Sequence, residues 1–397
     1  MGKIYKGTII NPVDAHHAEV MHHGFIEVDD HGRIIDKGIR KMADRDEEPV
    51  IMPAFVDVHV HLPQFDVRGS YSGNQLLLWL KKYIWPEEAK CSDNAHVKDI
   101  AQRFYDDLIR HGTLTAGIYG TIHENAVKTM IEAMPIRGRV GKVVMDQQAP
   151  DSLSETTREA IEVTERLCEQ YGDRHMVTPR FAPSCSFEVM RQLAEIAQRY
   201  NCYIQTHLSE NDDEIALVKK LFPEYRHYTD VYKQAGLLGE KTIVGHVIHC
   251  HEEELTILKE TGTQIAHCPT SNVALKSGTM PLDDIVRHHI PFALGTDVGA
   301  GPKTSMLDVM RAFLDVHDSV HATPTAALYY ATKSGAQVLG YSDETGSLDI
   351  KKSADFLILK EYKQIDQSLD EYIRFLTHKS DYDTIVEKTY YKGKALF

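Results

Sequence analysis

The chain has 397 residues, of which 42% are hydrophobic and 26% charged, and this composition predicts a soluble globular protein with a large core. Its formal net charge of −14 and its lack of a long Lys/Arg run argue against a protein that binds nucleic acid. No apolar run approaches the roughly 20 residues of a membrane span, no N-terminal leader is visible, and the cysteines form no C-x-x-C pair. We therefore expect a cytoplasmic protein that binds neither nucleic acid nor membrane.

Both ends of the chain are rich in β-strand patterns bounded by turn residues such as Asp-Asp-His-Gly at 29–32. These strand patterns lie at 4–10, 24–28, 33–35, 354–359 and 384–391. Because both ends show the same alternation of strand patterns and turns, we predict that residues 1–52 and 347–397 together form one small β-sandwich domain.

Residues 53–346 alternate short apolar strands with amphipathic helices, which is typical of a parallel α/β fold. The predicted strands lie at 55–61, 114–119, 141–146, 176–181, 202–207, 242–246, 264–267 and 291–297. Helix signals include Ser186, an acid-rich start at 251–254 that ends at Gly262, a capping box at Ser305, and Thr323 before a proline. The eight strands predict a (β/α)8 TIM-like barrel.

The first of these strands ends in two histidines, His59 and His61, spaced two residues apart. Residues i and i+2 of a strand lie on one face, so both imidazoles can approach one metal ion. Because the chain has 22 histidines, this spacing gains weight only if later strands supply further ligands.

Later strands do end in suitable side chains, and the carboxyl ends of barrel strands meet at one face. The full set is His59, His61, Arg180, His207, Glu210, His246, His267 and Asp297. Three or four imidazoles with one carboxylate suit Zn²⁺ or Fe²⁺ and leave a position open for water. Glu210 suits a proton carrier, and Asp297 suits a group that binds metal and orients water.

These motifs resemble the metal-dependent amidohydrolase superfamily, whose pattern is His-x-His on strand 1, His on strands 5 and 6, and Asp on strand 8. Within it they are most similar to the guanine deaminase family. The similar motifs lie at 61–64 (His-Leu-Pro-Gln), 78–83, 141–146, 179–181 (Pro-Arg-Phe), 207–210 (His-Leu-Ser-Glu), 265–269 and 295–298. The similarity runs from about residue 53 to 340, with small departures at Ala54 and Leu62 that remove no reactive side chain.

The resemblance implies one zinc ion per subunit, because no lysine stands just beyond strand 4 to form the carbamate that would bridge two metals. The implied ligands are His59, His61, His207, His246 and Asp297. It leaves open whether His246 binds the metal or its water. The implied substrate contacts are Gln64, Arg180, Phe181, His207, Glu210 and Asp297.

The resemblance also implies a reaction, a substrate and a homodimer. A metal-activated water would attack C2 of guanine with Asp297 accepting its proton, while Glu210 protonates the adjacent ring nitrogen and ammonia leaves to give xanthine. The catalytic residues would be Glu210, Asp297 and His246.

Two alternatives remain at this point. A related deaminase acting on 8-oxoguanine, thiomethyladenosine or adenosylhomocysteine, cytosine or a triazine would share the metal ligands. A non-catalytic scaffold with this fold has no physical need for an intact ligand set. For His267, a packing role and a role beside the ligands are both open.

Overall fold

The computed structural model describes residues 2–39, 48–71, 73, 75–360 and 368–397. Parts of the predicted β domain, at 40–47 and 361–367, lie outside the described residues. The strands are β1 (Lys3–Pro12), β2 (Ala18–Val28), β3 (Ile34–Ile39), β4 (Val50–Pro53), β5 (Phe55–His61), β6 (Thr113–Tyr119), β7 (Arg137–Val144), β8 (His175–Pro179), β9 (Tyr203–Leu208), β10 (Thr242–His246), β11 (Gln264–His267), β12 (Phe292–Leu294), β13 (Phe356–Leu359), β14 (Val386–Tyr391) and β15 (Lys394–Ala395).

The helices lie mainly between the strands of the central region. They are α1 (Leu76–Trp79), α2 (Trp85–Glu88), α3 (Asn94–Arg110), α4 (Glu124–Ala133), α5 (Thr157–Tyr171), α6 (Phe187–Tyr200), α7 (Asp212–Leu221), α8 (Tyr228–Ala235), α9 (Glu252–Thr261), α10 (Pro269–Ala274), α11 (Leu282–Arg287), α12 (Met306–Val316), α13 (Pro324–Tyr330), α14 (Lys333–Val338) and α15 (Leu369–Thr377). A π-helical turn, Leu80–Ile84, joins α1 to α2. No helix within the described residues has the length and apolar character needed to span a bilayer.

Strands from both chain ends form one mixed sheet, in the order β15-β14-β13-β4-β1-β2-β3. Within the described residues these seven strands are one continuous hydrogen-bonded sheet, to which both chain ends contribute as predicted. Its apolar side includes Tyr5, Ile9 and Phe356, and the ring of Phe356 stacks on Tyr390 at a centroid distance of 4.6 Å. The pairing of β4 with β13 joins the N-terminal strands to the C-terminal ones.

The strands β5 to β12 form the predicted barrel, which is confirmed: eight parallel strands are hydrogen-bonded in chain order. Beyond the short last strand, backbone bonds close the barrel onto the first one. The Asp297 N–H donates to the His59 carbonyl at 2.8 Å, and the His61 N–H donates to the Val298 carbonyl at 2.8 Å. We call this junction of β5 with the segment 296–298 the seam.

Two of the predicted strands differ most from their bounds in the structure. The strand predicted at 141–146 begins earlier, at Arg137, and ends at Val144. The Asp146 carboxylate lies beyond it and accepts the Ser186 N–H at 2.6 Å, at the start of α6. The strand predicted at 291–297 ends at Leu294, because the chain turns out of the sheet and Asp297 takes a φ of +48°.

Most of the helix signals are confirmed. The Ser186 hydroxyl accepts the Val189 N–H, Thr323 accepts the Ala326 N–H ahead of Pro324, and α9 ends at Gly262 with a φ of +71°.

The capping box predicted at Ser305 is wrong. The hydroxyl of Ser305 is buried, with no hydrogen-bond partner among the described residues, and the Asp308 N–H donates to the Ser305 backbone carbonyl instead. The sequence pattern of a cap is present, but tertiary packing decides which oxygen accepts the bond.

A buried ion pair connects the barrel to the mixed sheet. Arg137 of β7 donates to Asp355, next to β13, at 2.5 Å, and the Asp355 side chain is 0% exposed. Asp355 also accepts the Ser353 hydroxyl and the Lys392 N–H. The carboxylate therefore depends on donors from both parts of the molecule.

Replacing Arg137 by Met should destabilise the fold by about 3 kcal/mol, because it leaves a buried carboxylate without its cation. We place the effect at the low end for such pairs because Ser353 and Lys392 still donate to Asp355. The shift of the urea unfolding midpoint measures it. As a control, Arg158→Met removes an exposed arginine paired four residues along α5 and should leave the midpoint unchanged. Equal midpoints for both variants would contradict this account.

Candidate active site

Four predicted metal ligands converge at the carboxyl ends of the barrel strands. One donor atom each from His59, His61, His207 and Asp297 lies within 4.8 Å of the other three. The Nε2 atoms of His59 and His61 are 3.2 Å apart, and they lie 3.3 Å and 3.2 Å from Asp297 Oδ1. We call these four residues the donor cluster.

The environment of the donor cluster suits a metal ion. The Nδ1 of His207 contacts the Arg180 carbonyl at 2.7 Å. A carbonyl can only accept, so Nδ1 carries the proton and the lone pair of Nε2 is free to bind a metal ion. Burial lowers the pKa of His61 to about 4, and burial with the neighbouring His59 and His61 rings lowers the pKa of His207 well below its ordinary value. Neutral buried imidazoles beside one carboxylate are the donor set that Zn²⁺ binds.

His246 lies beside the donor cluster and not within it. Its Nε2 is buried, without a hydrogen-bond partner in the described part of the chain, and lies 3.9 Å from Asp297 Oδ2 and 3.4 Å from Glu210 Oε2. Its Nδ1 contacts the Asn272 side-chain oxygen at 2.9 Å. Asn272 therefore orients this ring. It is not among the predicted site residues, because it lies 26 residues from His246 and no local pattern links the two.

Asp57 forms hydrogen bonds to both sides of the seam, next to His59 of the donor cluster. Its Oδ1 accepts the backbone N–H groups of His59 at 3.2 Å and Thr296 at 3.0 Å, and its Oδ2 accepts the Thr296 hydroxyl at 2.5 Å. Burial raises the pKa of Asp57 to about 7. Asp57 is not among the predicted site residues, although it precedes His59 by two residues and so lies on the same strand face.

The seam also needs a residue without a side chain. A Cβ on Gly295 would lie 2.8 Å from the His59 Cβ and 3.0 Å from its backbone nitrogen. Only glycine lets the last strand approach the first closely enough to place Asp297 beside His59 and His61.

Glu210 faces the same cavity from the loop after β9. Its side chain is buried, and its Oε1 accepts the Ser277 hydroxyl at 3.3 Å. Burial, with a smaller effect from Asp297, raises the pKa of Glu210 to about 8. A carboxyl group in this environment can hold a proton near neutral pH and release it to a neighbour.

A second polar group of the cavity is formed by Gln64 and Arg180, which we call the amide–guanidinium pair. Both side chains are buried, and both bond to Glu88, at 2.8 Å from Gln64 Nε2 and 2.5 Å from Arg180 Nη1. Glu88 is not among the site residues that the sequence predicts. Its signal was weak, because Glu87 and Glu88 are adjacent acids at the end of a helix, where solvent exposure is the usual outcome.

The cavity between these groups, counted with the part that opens to solvent, has a volume of about 370 Å³. Leu76 and Trp79 of α1, with Leu80 directly after them, are among the residues that line it. The lining residues are His61, Gln64, Leu76, Trp79, Leu80, Arg180, Phe181, His207, Glu210, His246, Leu275 and Asp297. Apolar lining residues with a few convergent polar groups suit a small-molecule ligand.

His267 does not line this cavity. Its Nε2 contacts His317 Nε2 at 2.9 Å, and its ring packs near Phe313 of α12. Of the two roles that the sequence left open for it, these contacts favour packing between β11 and α12.

Known proteins resemble the whole of this chain. The family model described as "Amidohydrolase family" matches residues 50–396. Guanine deaminase of Dictyostelium discoideum is 33% identical over 402 residues, which cover 91% of this chain and 89% of that protein. Guanine deaminase of Escherichia coli (strain K12) is 37% identical over 321 residues, which cover 78% of this chain and 73% of that protein. A guanine deaminase structure from C. acetobutylicum, with bound guanine in the active site, has a TM-score of 0.93 at 30% identity and covers 100% of both chains. The chain belongs to the amidohydrolase family.

Proposed function

We propose that this protein hydrolyses guanine to xanthine and ammonia. The observation that carries the proposal is the cavity itself, which is lined by His61, His207 and Asp297 of the donor cluster, by Glu210 and by the amide–guanidinium pair. The relatives that match most of the chain at more than 30% identity are named guanine deaminase. A scaffold protein would have no physical need for this buried, mutually positioned set of polar groups.

We propose that His59, His61, His207 and Asp297 hold one Zn²⁺ ion, with His246 beside it. Fe²⁺ would suit the same donors. When bound, the ion would act as a Lewis acid that makes water nucleophilic near neutral pH. The unpartnered Nε2 of His246 is close enough to Glu210 and Asp297 to exchange hydrogen bonds with a water between them.

Gln64 and Arg180 would bind and orient the purine. The amide offers both a donor and an acceptor to a lactam edge, and the guanidinium donates to a carbonyl oxygen. Phe181 and Trp79 supply apolar surface for the flat ring. Adenine carries an amine where guanine carries its carbonyl, so Arg180 would lose its acceptor and adenine should be rejected strongly.

Glu210 and Asp297 would move the protons. Burial alone would raise the pKa of Asp297, but its contacts with His59 and His61 hold that pKa well below its ordinary value, so the carboxylate is ionised and has a lone pair free for a proton of the attacking water. Glu210 then protonates the ring nitrogen next to C2. Water adds to C2 as Asp297 takes one of its protons. When the bond from C2 to the exocyclic amine then breaks, that proton passes from Asp297 to the amine, which leaves as ammonia, and the remaining hydroxyl proton returns to Glu210 as the C2 carbonyl forms.

We also propose that the protein is a cytoplasmic homodimer. The acidic net charge and the six free, buried cysteines support the location. The dimer rests only on the resemblance to the family, and gel filtration with light scattering tests it.

Guanine should release ammonia, whereas adenine and cytosine should release little or none, because only guanine matches both polar groups of the amide–guanidinium pair. Glu210→Gln should lower kcat for guanine by about 10²- to 10⁴-fold, the usual contribution of a general acid–base. A coupled ammonia assay with 8-oxoguanine included in the panel measures both effects. Glu188→Gln, an exposed acid on α6, is the control and should leave kcat unchanged.

Two results would contradict the proposal. If guanine is inert while another base reacts, the assigned role of Gln64 and Arg180 is wrong. If Glu210→Gln retains full activity, the proton carrier must be another group.

Asp57→Ala should lower metal affinity by about 10- to 100-fold, as loss of a group that orients metal ligands typically does. The change removes the acceptor for the N–H groups of His59 and Thr296. Asp57→Asn is a matched control, because its side-chain oxygen still accepts both N–H groups and its amide can donate to the Thr296 hydroxyl. Competition with a chromophoric chelator measures the affinities, and about one ion per chain is expected in the wild type. Equal losses in both variants would mean that charge, rather than hydrogen bonding, is what Asp57 supplies.

A further inference from the structure

Glu88 connects the two side chains of the amide–guanidinium pair. One carboxylate oxygen accepts from Gln64 Nε2 at 2.8 Å, and the other accepts from Arg180 Nη1 at 2.5 Å. Glu88 is 1% exposed, and it does not itself line the cavity. Its contacts therefore act on a ligand only through Gln64 and Arg180.

These contacts fix which way the amide of Gln64 points. A carboxylate can only accept hydrogen bonds, so Glu88 must face the amide nitrogen. The Gly299 backbone N–H can only donate, and it contacts Gln64 Oε1 at 3.2 Å. Each side of the amide thus has one obligatory partner. One N–H and one oxygen lone pair of Gln64 remain for the cavity, in a single orientation.

The same carboxylate also neutralises Arg180. The guanidinium is 3% exposed, and Glu88 is its ion-pair partner at 2.5 Å. A buried cation without a partner attracts anions and is costly to maintain. With Glu88 in place, the amide–guanidinium pair is a neutral hydrogen-bonding surface, which suits an uncharged base.

We propose that Glu88 is a positioning residue that sets the purine specificity of this site: it holds Gln64 in one orientation and keeps Arg180 neutralised, so that uncharged guanine binds better than an anionic purine. The proposal rests on the proposed function for the identity of the base. It assigns Glu88 a part in discriminating the substrate from xanthine, the product, which gives up a ring proton more readily than guanine does.

Glu88→Gln tests this proposal, since glutamine offers one accepting oxygen where two donors need one each. The KM for guanine should rise by about 10- to 100-fold, the effect of leaving a buried donor unsatisfied. The kcat should change much less, because the lost contacts act on substrate and transition state alike. Glu87→Gln is the matched control: Glu87 carries the same charge one residue earlier but pairs with Lys90, and its kinetics should equal those of the wild type.

Xanthine binding separates this role from a merely structural one. Above the pH at which xanthine ionises, Glu88→Gln should bind xanthine about 10-fold more tightly than the wild type does, because Arg180 then lacks its counter-charge. Below that pH the gain should disappear. Glu88→Asp keeps the charge, so it should show a raised KM without any gain in xanthine affinity. Quenching of the fluorescence of Trp79, which lines the cavity, reports binding without turnover.

An unchanged KM in Glu88→Gln would overturn the proposal, and so would a loss confined to kcat. Circular dichroism shows whether Glu88→Gln folds. If it does not, the KM of Glu88→Asp tests the proposal, and wild-type kinetics in that variant would contradict it. A wild type that binds guanine without converting it would contradict the proposed function alone, because the fluorescence titrations still test Glu88.

Discussion

The seam between the first and last barrel strands is the constraint on which the site depends. Backbone bonds of 2.8 Å join His59 to Asp297 and His61 to Val298, so three residues of the donor cluster belong to the segments whose hydrogen bonds close the barrel. The Asp57 carboxylate accepts a backbone N–H from each side of this junction, from His59 and from Thr296. A small shift of one strand would separate donor atoms that now lie 3.2–3.3 Å apart, so fold stability and ligand geometry are linked here.

The cavity combines two kinds of buried polarity. On one side, the donor cluster and Glu210 have ionisation states shifted by burial and by each other, as chemistry near neutral pH requires. On the other side, Gln64, Arg180 and Glu88 satisfy one another through hydrogen bonds and an ion pair. The first group is suited to moving protons and the second to holding a base still. An enzyme that removes an amine from a purine needs both within one small volume.

Local periodicity was enough to predict the barrel and to bring the side chains at its strand ends together, because a strand places His59 and His61 on one face and the strands end at one side of a barrel. The choice of metal ligands among those side chains came from the resemblance to the family. Glu88 was not predictable in this way, since its partners lie 24 and 92 residues away and leave no local pattern. Asp57 did carry a local signal, two residues before His59. At Ser305 the sequence has a capping pattern that the structure does not use. Packing buries the hydroxyl, and the Asp308 N–H donates to the Ser305 backbone carbonyl instead.

The most direct test of the central claim is the fate of the oxygen atom during turnover. Guanine would be incubated with the metal-loaded protein in oxygen-18-labelled water, and the products analysed by mass spectrometry. If the donor cluster and Glu210 direct water to C2, each xanthine carries one labelled oxygen at C2 and one ammonia forms per guanine consumed. Unchanged guanine, or a product without the label, would contradict the account.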